Sequence, residues 1–453
     1  MSSVFRVVEH TLPSSHIREY PRALSGEQED ILQIAVKQYV PSDNPNPRPG
    51  DVTIIGAHAN GFPKELYEPL WEELIKRSRK SKIRIRSIWL ADVAWQGQSG
   101  VLNENKLGND PSWMDHARDL FLMINLKRHE MPRPIVGIGH SMGANNLVNL
   151  AYIHPRLFTT LILIDPVILE FPTTPPEAGP ATAQLSNFRR EIWPSRSAAA
   201  TSFQKSKFFQ AWDPRVLERW IQFGLRDLPT LKHPSTSASP DKGAGVTLTT
   251  TRDQEVFTFA RPNYSAYGLH PSNPPARETH ADLDPKTPTI YPFYRPEGPN
   301  TFDQLPHLRP PVLYIFGETS AMSTPSLIES RLLITGTGVG GSGGRPLSRV
   351  QSTVIKDAGH LVAMEKVRET ADEATKWLES ELNSWKASED QFRREWSATP
   401  ENEKRYVDKK WNDMIRLSGD REATAKGVEV AIKNGKIRRD GGGGREGEGG
   451  SKL

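Results

Sequence analysis

The chain has 453 residues, of which 36% are hydrophobic and 25% charged, a composition typical of a globular protein with a sizeable core. It contains no cysteine, which excludes disulfides, thiolate metal sites and a cysteine nucleophile. The formal net charge is only +4 and no basic stripe alternates with aromatic residues, so nucleic acid is not an expected partner. The longest apolar run, residues 157–171, is too short and interrupted to span a membrane, and no transmembrane segment is expected.

Alternating strands and helices are predicted over the first part of the chain. Strand patterns occupy residues 31–40, 51–57, 83–90, 134–139 and 159–165, and helical spacing of apolar residues occupies 64–76, a segment capped by Ser112, and 143–152. Strands that are apolar on both faces and alternate with helices predict a parallel sheet covered by helices. Residues 1–169 are therefore assigned to the first part of an α/β core.

The alternation then stops and later resumes. Residues 170–307 are rich in Pro, Ser and Thr with scattered aromatic residues, which predicts a partly helical lid, or cap, inserted into the core. Strand patterns return at 311–316 and 350–355, and a helix is predicted at about 361–382. Residues 308–385 are thus predicted to complete the core.

Two segments follow this core. Residues 386–440 show helical spacing of apolar residues, which predicts a C-terminal helical extension whose apolar face docks onto the core or a partner. Residues 441–453 form a glycine-rich flexible linker that carries Ser451, Lys452 and Leu453. At a carboxyl terminus, Ser-Lys-Leu is an address read by the peroxisomal import receptor. Because the amino-terminal residues lack the pattern of a secretory signal, we expect location in the peroxisomal matrix, with that receptor as a partner.

Ser141 is the candidate nucleophile. It stands in Gly139-His-Ser-Met-Gly143, where a predicted strand ends and a predicted helix begins. A nucleophile at such a place needs a tight turn that exposes its oxygen, and the flanking glycines remove side chains that would clash. This setting is typical of serine hydrolases and predicts the α/β-hydrolase fold, a mostly parallel doubly wound sheet with an inserted lid domain.

His360 is the candidate base. A serine hydroxyl becomes a good nucleophile only when a base takes its proton, and in this architecture the histidine follows the last strand. Of the twelve histidines in the chain, His360 lies at that place, in a turn next to Gly359.

The oxyanion of a tetrahedral intermediate needs two backbone N–H donors. The residue after the nucleophile, Met142, is expected to supply one, and the turn that follows the strand at 51–57 is expected to supply the other. Asn60 is the predicted donor in that turn. The neighbouring His58 is expected to hold the shape of the loop rather than act as a second base.

The acid of the triad has two candidates. Ser320 stands three residues after Gly317, where an aspartate would be expected, so the usual position is empty of a carboxylate. Asp165 ends the strand that follows the nucleophile's helix and is favoured; Glu318 is the alternative acid, one turn position too early. The Gly-x-Gly-x-x-Gly pattern at 336–341 is not followed by residues that can open a helix, and we expect no cofactor and no metal.

These segments together resemble the fungal peroxisomal α/β-hydrolases, a group that includes a yeast peroxisomal lipase and the hydrolase of AK-toxin biosynthesis. The resemblance covers most of residues 1–385. It is carried by His16 to Pro21, Ala57 to Pro63, Asp92 with Gln96 to Ser99, Trp113 with Asp115, His116, Arg118 and Asp119, the Ser141 turn, Ile164 to Pro166, Gly359 with His360, and the terminal Ser-Lys-Leu.

The resemblance implies a hydrolase of an acyl ester or an acyl-CoA thioester, with a small-molecule acyl substrate from a fungal secondary metabolite such as a host-selective toxin. Two other functions remain open from the sequence. The same triad suits an acyltransferase, and without a functional acid the fold would suit a non-catalytic peroxisomal ligand-binding protein.

Overall fold

The structure is a computed structural model that describes residues 4–81, 83–171, 181–234, 245–264, 280–283 and 292–418. The chain divides into two compact units, Met1–Lys386 and Ala387–Leu453. The larger unit contains the sheet and the candidate site residues. In the smaller unit, the side chains of Tyr406 and Trp411 are both exposed. The expected docking of this segment through its apolar face therefore stays a prediction.

The strands of the described residues are β1 (Phe5–Pro13), β2 (Gln33–Pro41), β3 (Val52–Ala57), β4 (Ile85–Ala91), β5 (Ile135–His140), β6 (Thr160–Ile164), β7 (Ile192–Trp193), β8 (Leu225–Asp227), β9 (Val246–Leu248), β10 (Arg261–Pro262), β11 (Phe293–Tyr294), β12 (Val312–Gly317) and β13 (Val350–Ile355). The main sheet has the order β1-β2-β4-β3-β5-β6-β12-β13. The pairs β1–β2 and β2–β4 are antiparallel and the others are parallel, which confirms the predicted α/β-hydrolase fold with its mostly parallel sheet.

The helices are α1 (Glu68–Lys80), α2 (Gly97–Leu102), α3 (Trp113–Leu126), α4 (Met142–Ile153), α5 (Ala181–Phe188), α6 (Arg196–Lys205), α7 (Lys207–Gln210), α8 (Pro214–Phe223), α9 (Arg252–Phe259), α10 (Glu297–Gln304), α11 (Pro325–Ile334), α12 (Val362–Glu365), α13 (Val367–Ala398) and α14 (Lys409–Ser418). Every residue of β3, β5, β6 and β12 is buried, as expected for strands covered by helices on both faces. Ser112 accepts a hydrogen bond from the Met114 N–H at 3.2 Å, so it caps α3 as predicted.

The register of the parallel strands places their carboxyl ends at one edge of the sheet. Ala57 at the end of β3 pairs with Gly139 of β5, and His140 pairs with Ile164 of β6. The turns that follow these strands therefore lie side by side. In open α/β sheets this edge is where ligands bind.

The segment between β6 and β12 contains helices α5 to α10 and two small sheets. One sheet has the order β7-β9-β8 and the other pairs β10 with β11. The sequence analysis predicted helices here but no strands, because strands of two or three residues are too short to show an alternating pattern. The predicted helix at 361–382 was also wrong in its limits, since α12 ends at Glu365 and α13 continues to Ala398.

The segment between β1 and β2 packs against α3 through buried ionic contacts. The Arg18 guanidinium donates to both carboxylate oxygens of Asp119, and the Ser15 hydroxyl donates to the same carboxylate at 2.9 Å. The Glu19 N–H donates to Asp115. Several of the residues that carry the family resemblance thus fasten the amino-terminal segment to the core. Among the described residues, no helix combines the length and hydropathy that crossing a membrane requires.

Candidate active site

Ser141 lies in a sharp turn between β5 and α4. Its backbone has φ of 57° and ψ of −118°, a conformation that costs energy for a residue with a side chain. Glycines on both sides make the turn possible. A Cβ atom on Gly139 would lie 2.7 Å from the Ala144 backbone, and one on Gly143 would lie 2.2 Å from the Ala57 carbonyl oxygen. The second distance also shows how closely the start of α4 approaches the end of β3.

His360 connects Ser141 to Asp165 by hydrogen bonds. Its Nε2 lies 2.9 Å from the Ser141 Oγ, and its Nδ1 lies 2.6 Å from the Asp165 Oδ2. A carboxylate only accepts, so Nδ1–H donates to Asp165 and Nε2 is left to accept from the Ser141 hydroxyl. The structure therefore brings together the predicted nucleophile, base and favoured acid in the order that proton transfer from serine requires.

Asp165 is fully buried at the end of β6 and receives two further hydrogen bonds. The Ser320 hydroxyl donates to Oδ2 at 2.5 Å, and the Ser323 hydroxyl donates to Oδ1. Burial by itself raises the pKa of this carboxyl. The hydrogen bonds from His360 and from the two serines outweigh burial, and they hold the pKa of Asp165 below its usual value. The carboxylate is thereby kept ionised beside the histidine.

The alternative acid, Glu318, is not brought to the histidine. Its side chain is exposed and accepts a hydrogen bond from the Asp357 N–H at 3.0 Å. Within the described ranges, no hydrogen bond joins Glu318 to His360. Ser320, which replaces the aspartate expected after β12, instead supports the carboxylate that comes from β6.

Arg331 is a buried residue near the acid that the sequence analysis did not identify. Its Nε donates to the Ile168 carbonyl at 2.7 Å and its Nη1 donates to the Met322 carbonyl at 3.0 Å. These carbonyls belong to the loop after Asp165 and to the loop that contains Ser320. Arg331 therefore ties together the two loops that surround the acid, and its positive charge lies close enough to Asp165 to interact with it.

The turn that holds Asn60 is fixed by side-chain hydrogen bonds. Gln96 donates to the Asn60 Oδ1 at 2.6 Å and accepts from the Gly61 N–H at 2.8 Å, while the Asn60 side chain donates to the Glu255 carbonyl of α9. The structure gives the backbone N–H groups of Asn60 and Met142 no acceptor among the residues it describes. Their role as oxyanion donors stays a prediction.

His58 starts the same turn, and both of its ring nitrogens are used to hold the loop. Nε2 accepts from the Val93 N–H at 2.9 Å, and Nδ1–H donates to the Ala59 carbonyl at 2.8 Å. Complete burial lowers its pKa, so the ring is neutral. It holds the shape of the loop, as expected, rather than acting as a second base.

Aromatic side chains of the segment between β6 and β12 lie against this turn. Phe62 packs edge-on against Trp212 and Trp220, with ring centroids 5.7 and 6.0 Å apart. The Asp213 N–H, just before α8, donates to the Met364 carbonyl at 2.8 Å. Helix α8 and the residues just before it therefore contact both the turn that holds Asn60, here called the oxyanion turn after its predicted role, and the segment that follows His360. They place apolar surface beside both.

Two further expectations concern the carboxyl-terminal tripeptide and metal binding. Ser451, Lys452 and Leu453 lie beyond the described residues. In the described ranges, no group of three or more His, Asp or Glu side chains is arranged to hold a metal ion.

Comparisons with known proteins place this geometry in context. The model of the alpha/beta hydrolase family matches residues 54–373. The chain is 41% identical over 432 residues to the type I acyl-CoA thioesterase mpaH of Penicillium roqueforti, covering 92% of this chain and 96% of that protein. It is 43% identical over 404 residues to the type I acyl-CoA thioesterase mpaH' of Penicillium brevicompactum, covering 86% and 91%.

More distant relatives are also α/β-hydrolases by name. The abhydrolase domain-containing protein ACTT2-1 of Alternaria alternata is 29% identical over 255 residues, covering 55% of this chain and 85% of that protein. Among solved structures, the peroxisomal alpha-beta-hydrolase Lpx1 of Saccharomyces cerevisiae superposes with a TM-score of 0.62 at 16% identity, covering 97% of this chain and all of that one. At that identity the likeness shows the fold alone.

Proposed function

Because the chain belongs to the alpha/beta hydrolase family, we propose that it is a serine thioesterase that hydrolyses an acyl-CoA thioester. The family and its thioesterase relatives make the chain a hydrolase of the esterase or thioesterase type. The observation that carries the proposal is the continuous hydrogen-bond chain from Ser141 through His360 to Asp165. The thioester is preferred over an oxygen ester because two relatives named as acyl-CoA thioesterases match most of the chain at 41% and 43% identity.

In the first half of the proposed reaction, the enzyme is acylated. The Ser141 Oγ attacks the thioester carbonyl carbon while its proton passes to the His360 Nε2. Asp165 stabilises the imidazolium that forms. The carbonyl oxygen becomes an oxyanion, which the backbone N–H groups of Asn60 and Met142 stabilise. When the intermediate collapses, the C–S bond breaks and the coenzyme A sulfur takes the proton from His360, leaving the acyl group on serine.

In the second half, water releases the acyl group. A water molecule gives a proton to the His360 Nε2 as its oxygen attacks the acyl-enzyme carbonyl, and a second oxyanion forms at the same N–H donors. Collapse breaks the ester bond to Ser141, whose oxygen recovers the proton from His360. The products are a carboxylic acid and the free thiol, and the enzyme returns to its starting state.

Purified full-length protein tests this proposal on a panel of acyl-CoA thioesters and oxygen esters, with release of free thiol as the readout. We expect wild type to release thiol and Ser141→Ala to release none above background. Ser78→Ala is the matched control, because Ser78 is also buried but its hydroxyl bonds only the Ile75 carbonyl in α1. A wild type whose melting temperature rises with acyl-CoA but which releases no thiol would contradict the proposal. Product formed only when an alcohol or amine is supplied would assign acyl transfer instead.

We also propose that the protein acts in the peroxisomal matrix on an acyl group of a fungal secondary metabolite. The location is supported by the tripeptide Ser451-Lys452-Leu453 and the substrate class by the resemblance noted from the sequence. A fluorescent protein fused before Met1 should give punctate fluorescence that coincides with a peroxisomal marker. Deleting residues 451–453 should make it diffuse, and diffuse fluorescence from the undeleted fusion would contradict the proposed location.

A further inference from the structure

Three hydrogen bonds in series connect the oxyanion turn to the backbone of His360. The Ala59 N–H lies 2.9 Å from the Tyr67 Oη, and the same oxygen lies 2.8 Å from the His140 Nδ1. The His140 Nε2 lies 2.9 Å from the carbonyl oxygen of His360. The series begins one residue before Asn60, passes through the residue before Ser141 and ends on the candidate base.

The chemistry of the end groups fixes the direction of every bond. The carbonyl of His360 can only accept, so the His140 Nε2 carries a proton and donates it. In a neutral ring Nδ1 is then an acceptor, and the Tyr67 hydroxyl must donate to it. The Tyr67 oxygen in turn accepts from the Ala59 N–H. Each donor in the series has one acceptor, and the direction of a hydrogen bond cannot be reversed at any member without breaking another bond of the series.

The series is shielded from water and the ring stays neutral. Ala59, Tyr67 and His140 are all buried, with the His140 side chain fully enclosed. Burial and the neighbouring His360 lower the pKa of His140 to about 4. Near neutral pH the ring is therefore in the form that the bond directions require. Because the groups are buried, removing one hydrogen-bond partner leaves the other partner unpaired, since no water can take its place.

We propose that Tyr67 and His140 are positioning residues that hold the oxyanion turn and the backbone of His360 at a fixed distance on either side of Ser141. This inference rests on the proposed function. Neither side chain takes part in the hydrogen bonds of the Ser141, His360 and Asp165 chain, and neither is needed to transfer a proton. Their effect comes from geometry, because a small displacement of a base or an oxyanion donor lowers the rate of the chemical step.

The test compares variants that remove different parts of the series. Tyr67→Phe removes the hydroxyl that joins Ala59 to His140. His140→Gln keeps an amide N–H near the place of Nε2 and can still donate to the carbonyl of His360, whereas His140→Asn keeps an acceptor near Nδ1 and loses that donor. Tyr314→Phe is the matched control, because it removes a buried hydroxyl that bonds Thr335 outside the site.

For Tyr67→Phe and His140→Asn we expect kcat to fall about 10- to 100-fold with KM within about threefold of wild type, as for a misplaced but present catalytic group. His140→Gln, which keeps the donor to the His360 carbonyl but not the acceptor for Tyr67, should lose less activity than His140→Asn, and Tyr314→Phe should keep kcat within about twofold. Unchanged kcat in both Tyr67→Phe and His140→Asn, or an equal loss in Tyr314→Phe, would overturn the inference. If Tyr67→Phe does not fold, the contrast between the two His140 variants decides.

A second readout separates this inference from the proposed substrate. The rate at which a fluorophosphonate probe labels Ser141 reports the reactivity of the serine without an acyl-CoA. Slower labelling of Tyr67→Phe than of wild type and Tyr314→Phe supports the positioning role even if no thioester is cleaved. If wild type and Tyr67→Phe release thiol at the same rate and are labelled at the same rate, the proposed function is supported and the positioning role is overturned.

Discussion

Asp165 carries the negative charge of the site, and three hydrogen-bond donors surround it. The hydrogen bonds from His360, Ser320 and Ser323 leave its carboxylate with partners on both oxygens. A buried carboxylate without such partners would take up a proton and could no longer stabilise an imidazolium. At the scale of single residues, the proposed reaction therefore depends on which carboxylate lies beside the histidine and on what keeps it ionised.

The first prediction concerns the identity of the acid. Asp165→Asn should lower kcat about 10⁴-fold, the loss found when the orienting aspartate of a serine protease is replaced by its amide. Glu318→Gln is the control, because its carboxylate is exposed and bonds only a backbone N–H. It should keep wild-type activity. The measurement is the steady-state rate of thiol release at saturating acyl-CoA. An inactive Glu318→Gln together with an active Asp165→Asn would reverse the assignment.

The second prediction concerns pH. A carboxyl whose pKa is lower in the folded chain adds stability above its unfolded pKa, about 3.9, and loses it as the pH falls through the folded value. Ser320→Ala removes a hydrogen bond that lowers the pKa of Asp165. It should therefore lower the free energy of unfolding by about 2 kcal/mol at pH 7, typical of a bond to a charged group, and by less near pH 3. Urea unfolding at both pH values tests this, and a loss that grows on acidification would contradict it.

At the scale of elements, the candidate site depends on how closely the ends of neighbouring strands approach each other. Helix α4 starts against the end of β3 because Gly143 has no side chain there. The start of α4 thereby lies against the carbonyls of Ala57 and His58, at the beginning of the turn that holds Asn60. The approach is a property of the packing of β3, β5 and α4 rather than of any single polar contact.

The third prediction tests that approach. Gly143→Ala should lower kcat at least about 100-fold, because its Cβ would overlap the Ala57 carbonyl at 2.2 Å and force the helix and the turn apart. Gly298→Ala in α10 is the control, since a Cβ there meets no atom closer than 3.8 Å. It should leave kcat unchanged. Comparable activity in Gly143→Ala and wild type would show that the close approach is not required.

Much of this arrangement was predictable from the sequence, for reasons that differ between elements. The inner strands are continuous apolar runs, and Ser141 stands in a glycine-flanked turn where one of them ends. His360 follows β13, an edge strand that is mostly exposed, so its position after the last strand and the adjacent Gly359 identify it instead. Ser323 and Arg331 were not predictable. Ser323 lies 158 positions from Asp165 in the chain, and nothing in the residues around it indicates that contact.

At the scale of the whole molecule, the larger unit is held together by ionic contacts that link distant segments. Arg18 and Asp119 are 101 positions apart and form a buried pair between the amino-terminal segment and α3. Breaking a buried pair leaves a charge without a partner inside the protein. These contacts include none of the residues of the proposed reaction, so they should affect folding and not catalysis.

The fourth prediction separates stability from activity on this basis. Arg18→Leu should lower the free energy of unfolding by about 3–5 kcal/mol, as expected when one partner of a buried pair is removed, while the folded fraction keeps its kcat. Arg345→Leu is the control, because Arg345 pairs with Glu329 in a largely exposed position. Such pairs contribute little to stability. Urea unfolding measures the free energy of unfolding, and an activity assay at low temperature measures kcat. Equal stability of the two variants would contradict the prediction.

In the proposed reaction, Ser141 carries the acyl group of a thioester during turnover. Rapid mixing of the full-length protein with an acyl-CoA, acid quenching within the first turnover and mass spectrometry test this most directly. We expect a mass increase equal to the acyl group on the peptide that contains Ser141, which then decays as free carboxylic acid appears. Hydrolysis of the thioester without an adduct on that peptide, or at the wild-type rate in Ser141→Ala, would contradict it.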